Sequence, residues 1–227
     1  MSFDRILCLA NSYKHDHRCV AGINLVTRRW VRLIGQKIPG CLTVRETCYA
    51  DGREAAILDV VELELGETCG SCCHPEDVLV TAQPWRLVRR FEEPADAHFL
   101  DAFLNKSPAV LHGSGDRIYA RKFASAPADK SLELVHPNDL WWWIRDESGK
   151  RKYRALFRLG HVNRTRYDLA VTDPVWLAQL QLLPAGIYPH AFFCKEKPAK
   201  TFLTVSLSEI FDSFHYKLVA GVVSFRS

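Results

Sequence analysis

The chain has 227 residues, 48% of them hydrophobic and 25% charged, with 12 Gly and 11 Pro. That balance excludes a disordered or low-complexity chain, and no apolar run reaches the roughly 18 residues that a membrane span needs. The net charge of +4 is too small to name a partner, but residues 1–105 carry 12 basic and 15 acidic side chains while residues 106–227 carry 18 and 11. A net of −3 against +7 marks the second half as the one to meet a polyanion, or as a well-solvated surface.

In chain order, the segment MSFDRILCLANSYKH holds a short apolar core behind Asp4 and Arg5. It reads as a first β-strand, not a signal peptide, so the chain is expected in the cytoplasm. Its eight Cys are then thiols or metal ligands before they are disulfides. Cys19–Leu25 and Trp30–Ile34 flank Val26-Thr27-Arg28-Arg29, a hairpin connection, and Ala55–Leu65 alternates as a half-buried strand does. Pro39-Gly40 and the stretch from Gly66 to Pro75 punctuate this half. Pro94 and Asp96 then open a helix whose apolar face is Phe99, Leu100, Phe103 and Leu104. Strand patterns resume at Leu132–Val135, Leu140–Arg145, Lys152–Leu159, Tyr167–Val171, Phe202–Leu207 and Tyr216–Phe225. A second helix is expected from Pro174 to Leu183, capped by Thr172 or Asp173, with Pro174 at the first helical position.

The pattern gives a mainly β fold: two small OB-like β-barrels with short connecting helices. The boundaries are residues 1–93 for the first barrel, 94–110 for a helical connector and 111–227 for the second barrel. The pattern alone does not exclude a β-sandwich.

Specific strings go further. LANSYKHDHRCVAGINL (9–25) and RRWVRLIG (28–35) are followed by HPEDVLV (74–80), YDLAVTDP (167–174), FLTVSLSE (202–209) and HYKLVAGVV (215–223). In this order they resemble the dual OB-fold domain family of bacteria and archaea. There a first strand runs into an Asn-Ser-x-Lys-His loop, then Arg-Cys-x-Ala-Gly, then a Trp-x-Arg strand. The resemblance implies two OB-like barrels, a nucleic-acid or nucleotide-related binding role and an association with bacterial conflict systems. It implies no defined catalytic mechanism. The cysteines of residues 69–73 and the stretch 90–130 have no counterpart in the family pattern.

Two constellations carry the binding chemistry. After the first strand, Asn11, Ser12, Lys14, His15 and Arg18 offer an amide, a hydroxyl and three potential cations, groups able to surround a phosphate or a base edge. An ordinary hairpin loop would also use Asn and Ser. The resemblance favours a ligand-facing loop and adds Trp30 and Arg32 of the Trp-x-Arg strand. The second constellation is the hairpin LWWWIRDESGKRKYRALFRLG (140–160). From Ser148 to Tyr167 there are seven basic residues and no acid. Lys152, Arg154 and Arg158 fall on one strand face and Tyr153, Phe157 and Leu159 on the other, with Arg164 and Arg166 beyond. Cations beside aromatic rings suit single-stranded nucleic acid. Alternatively, Trp142 and Ile144 are core while Trp141 and Trp143 pack at an interface. Three consecutive Trp cannot all enter one core, because alternate residues face opposite sides.

Cys69, Cys72, Cys73 and His74 form half a zinc knuckle without a second pair at ligand spacing, so free thiols are the expectation, with no metal and no cofactor. The chain has no Walker-type GxxxxGK, no GxGxxG, no HExxH and no GxSxG, though a Cys–His pair with His15, His17 or His74 as base would escape a motif search. The expectation is a non-enzymatic module for single-stranded nucleic acid or a nucleotide. The alternatives are an enzyme of nucleotide or RNA metabolism, and a protein-interaction adaptor docking a partner from its own operon on the Trp cluster.

Overall fold

Ile6–Ala10 is an unbroken apolar run, and its five residues are all buried. A computed structural model, describing residues 3–14, 16–37, 40–107, 109–160, 165–194 and 198–226, places the run inside strand β1 (Asp4–Lys14). The architecture is mainly β, with two sheets, one of them a half-barrel. The chain divides into two compact units: residues 1–92 with 128–131, and residues 93–127 with 132–227. Among the described residues no helix is long and apolar enough to cross a membrane.

In the first unit β1 is followed by β2 (His17–Asn24), β3 (Arg29–Ile34), β4 (Asp59–Leu63), β5 (Leu65–Thr68), β6 (Asp77–Val80) and β7 (Arg86–Arg90). They form one sheet in the order β5-β6-β3-β2-β1-β4-β7. The β3–β6 pair is parallel. Ile6, Cys8, Val20, Leu33, Leu42, Val61 and Trp85 fill the core beneath it. The turn between β2 and β3 is closed by Asn24, whose Oδ1 accepts from Val26 and Thr27 N–H at 2.9 and 3.1 Å. β1 shifts register between Cys8 and Ala10. Gly22 lies opposite that shift, where a Cβ would stand 2.0 Å from the Leu7 carbonyl oxygen. Only glycine fits there. The alternation of Ala55–Leu65 resolves into the shorter β4, which is buried on both faces at Val60 and Val61.

In the second unit the helix α1 (Pro94–Asp101) starts where Pro94 and Asp96 required, with Asp96 Oδ2 accepting from Glu93 N–H at 3.0 Å. Its buried residues are Asp96, Ala97 and Leu100. Phe99 and Phe103, expected as the buried face, instead pack on each other at 5.3 Å, half-buried. There follow β8 (Arg117–Tyr119), α2 (Arg121–Ser125), β9 (Leu132–Val135), β10 (Asp139–Glu147), β11 (Lys150–Leu159), β12 (Thr165–Val171), α3 (Pro174–Gln181), β13 (Gly186–Pro189), β14 (Pro198–Phe211) and β15 (Phe214–Arg226). The sheet runs β13-β10-β11-β12-β15-β14-β9, with β8 added on β15. Asp173 caps α3 through Val175 and Trp176 N–H at 2.9 and 3.1 Å. Its other oxygen ties the helix to the sheet through Val222 N–H.

Candidate nucleic-acid interface

β10 settles the three tryptophans. Trp142 is fully buried and Ile144 nearly so, whereas Trp141 is 43% exposed. Trp142 packs at 4.8 Å on Trp176 and 5.8 Å on His190. Trp141 and Trp143 therefore stand on the opposite, outer face of the sheet.

Cross-strand register lays that outer face out in rows, because directly paired residues point to the same side. Asp139 pairs with Arg158, which pairs with Arg166; Trp141 pairs with Leu156, which pairs with Asp168; Trp143 pairs with Arg154, which pairs with Ala170. A groove of about 570 Å³ opens along the first two rows, lined by Asp139, Trp141, Leu156, Arg158, Arg166 and Asp168 among others. Beside it, the Arg145 guanidinium lies 4.5 Å over the Trp143 ring.

The charge of this face differs from the count along the chain. The seven basic residues between Ser148 and Tyr167 have no acid in sequence, yet the neighbouring strands supply several. Arg151 meets Asp146 at 3.8 Å, Lys152 meets Glu147 at 3.3 Å, and Arg154 is held by Asp168 at 2.6 Å. Arg158 has only a loose approach to Asp139, 3.8 Å. Arg166 is exposed and has no acidic partner among the described residues. Two arginines thus face each other directly across β11 and β12 with little compensation, an arrangement that destabilises a sheet unless an anion sits between them.

The loop constellation of the first unit comes out differently. Arg18 is buried, and its guanidinium grips Glu54, with Nη2 to Oε2 at 2.9 Å. Asn11 is buried too and donates to Glu54 Oε1 at 3.0 Å and to the Ala55 carbonyl at 2.8 Å. Hydrogen bonding to Glu54 raises Arg18 above the usual guanidinium range. Burial would raise the Glu54 carboxyl, but hydrogen bonds from Arg18, Asn11 and Thr47 outweigh it and hold it low. Arg18 therefore serves an internal ion pair that fastens β2 to the segment around Glu54. Ser12 is also buried. His15 and Arg164 lie outside the described residues, as does the Lys14 side chain. Trp30 is half-buried. Arg32 is buried, 2.8 Å from Ser131 Oγ and 3.7 Å from Asp77, inside the first unit.

In the cysteine cluster, Cys69 Sγ donates to the Asp77 carbonyl and Cys73 Sγ lies 3.4 Å from Ser71 Oγ. Burial raises both thiols, so neither is poised as a thiolate. Cys72 is exposed and His74 buried.

A different Cys–His pair emerges in the second unit, with Cys194 Sγ 3.7 Å from His190 Nε2. It is not set up for catalysis. The Trp142 indole can only donate, and it donates to His190 Nδ1 at 3.2 Å, so the ring proton sits on Nε2. From there it serves Thr201 Oγ1 or Ser224 Oγ, at 3.1 and 3.2 Å. A protonated Nε2 cannot accept from the thiol, and burial raises Cys194. Burial also lowers His190 to about 4.

That shift has a consequence for folding. Between pH 6.5 and about 4 the unfolded chain takes up a proton that the folded chain refuses. Stability is therefore expected to fall as pH drops through that window, by about 3 kcal/mol for this one group. Denaturant titrations at successive pH values check it: His190→Gln should flatten the profile between pH 6.5 and 4, and an unchanged profile would refute the assignment.

The fold and the outer face together define a class: a two-unit β protein with a half-exposed tryptophan and a cross-strand arginine pair on one sheet. The family model of the dual OB-containing domain matches residues 4–222. The chain belongs to that family. None of the curated proteins compared with it matches.

Sequence reasoning had placed Lys152, Arg154 and Arg158 on one face, and the structure brings Arg158 and Arg166 together in the groove. It missed Asp139 and Asp168, whose positions depend on register. It also gave no role to residues 111–125, where β8 and α2 lie.

Proposed function

We propose that the protein binds single-stranded nucleic acid on the outer face of its second sheet, without catalysing a reaction. Trp141 is the stacking platform, and Arg158 and Arg166 take the phosphates flanking the stacked base. The observation carrying this reading is the cross-strand arginine pair beside the exposed Trp141 ring. An anion between the two guanidiniums removes a repulsion the unbound sheet must bear, and stacking on a ring tolerates any base. OB-type folds are a common scaffold for such ligands. The setting we propose is the cytoplasm, in bacterial conflict systems, on the strength of the family resemblance.

Fluorescence anisotropy with fluorescein-labelled oligothymidylate tests the reading across a salt series. Two phosphate contacts on a single strand give a log–log slope of about −1.4, and three about −2. Binding that ignores salt would instead support an adaptor docking an apolar partner on Trp141 and Trp143.

A further inference from the structure

The outer face does not end at β12. β12 and β15 pair in parallel, with Ala170 opposite Leu218. Asp168 and Arg166 lie two and four residues before Ala170, and Tyr216 and Phe214 two and four before Leu218, so alternation along each strand puts all four on one side of the sheet. There β8 occupies the edge of β15, pairing Tyr119 with Phe214 and Arg117 with Tyr216. The groove and this end of the β14–β15 hairpin thus lie on one face, at the same end of the sheet.

The chemistry of the groove recurs there. The rings of Tyr119 and Phe214 lie 4.2 Å apart, and Tyr119 is 52% exposed. The Arg117 guanidinium sits 4.7 Å over Phe214 and that of Arg121 5.0 Å over Tyr119. Both arginines are exposed. Arg117 also meets Asp116 at 3.8 Å and hydrogen-bonds Tyr216, which holds it over Phe214, while the exposed Arg121 guanidinium is the one placed to meet a base or a phosphate. An apolar protein partner would not need a cation over each ring.

We infer that Tyr119, Phe214, Arg117 and Arg121 form a second stacking subsite for the same strand, which crosses the sheet from Trp141 to Phe214. This rests on the reading of the groove given above. The span is at least three strand spacings, or about 15 Å and more. That requires an oligomer of several nucleotides, within the ~4–16 that one OB fold accommodates. The ligand is accordingly a strand and not a mononucleotide.

The test compares labelled oligothymidylates of two lengths, a trimer and a dodecamer, on the full chain at low salt. The wild type is expected to bind the dodecamer at least about 10-fold more tightly than the trimer, since the second subsite acts at high effective concentration. Tyr119→Ala with Phe214→Ala should erase that gain and leave trimer binding as it was. Tyr119→Ala and Arg121→Ala, both at exposed positions, should each reduce dodecamer binding by several-fold even if Phe214→Ala unfolds the hairpin. Unchanged dodecamer affinity in these variants would overturn the second subsite while sparing the groove. A wild type that binds neither oligomer would overturn both.

Discussion

Replacing Arg158 and Arg166 together by Glu is expected to lower oligonucleotide affinity by at least about 100-fold, because each charge-assisted phosphate contact contributes about 1.5–3 kcal/mol. The fold should survive, since both side chains stand on the outer face and, among the described residues, only Arg158 approaches an acid, at 3.8 Å. Lys152→Glu provides the contrast. Lys152 already meets Glu147, so its reversal should change affinity only a few-fold, through the long-range field. Anisotropy titrations at one salt concentration compare the two. Equal losses would mean that the strip of basic residues acts as a diffuse field and that the paired arginines are not special.

The largest effect on stability is expected at Gly22. An alanine Cβ there would stand 2.0 Å from the Leu7 carbonyl oxygen. Neither atom can move without breaking the central β1–β2 ladder of the first unit. Gly22→Ala should therefore cost about 4 kcal/mol or more, among the severest single substitutions. Urea unfolding followed by circular dichroism would show this as a shifted midpoint or as failure to fold. A loss under about 1 kcal/mol would contradict the close approach.

Gly22 also shows what was legible in the sequence and what was not. It stands in the Arg-Cys-x-Ala-Gly string that carries the family resemblance, so its importance was visible. Its reason was not, because that depends on a register shift in a strand ten or more residues away. Alternation alone separates Trp142 and Ile144 from Trp141 and Trp143, since the period of two is local, but which pair is core depends on what the sheet packs against. Likewise Asp173 and Pro174 announced the start of α3.

The charge of the interface could not be read that way. Along the chain the stretch from Ser148 to Tyr167 is purely basic, but a sheet sets each residue beside partners from other strands. Asp139, Asp146, Glu147 and Asp168 temper four of those cations and leave Arg166 exposed. Arg18 illustrates the same limit in the other direction. Its place beside Asn11 and Ser12 suggested an anion pocket, yet Glu54, 36 residues further on, supplies the anion from within the chain. Tyr119 and Phe214 are nearly a hundred residues apart in sequence, and only the β8–β15 pairing joins them.

Binding by the Trp141→Ala variant measures the central claim most directly. Trp141 is half-exposed and lines the groove, so its removal should leave the melting temperature nearly unchanged. Oligothymidylate affinity should fall about 10-fold or more at every length, consistent with about 1–3 kcal/mol for one stacked base, and Trp141→Phe should restore most of it. Wild-type affinity in Trp141→Ala, with the fold intact, would contradict the account.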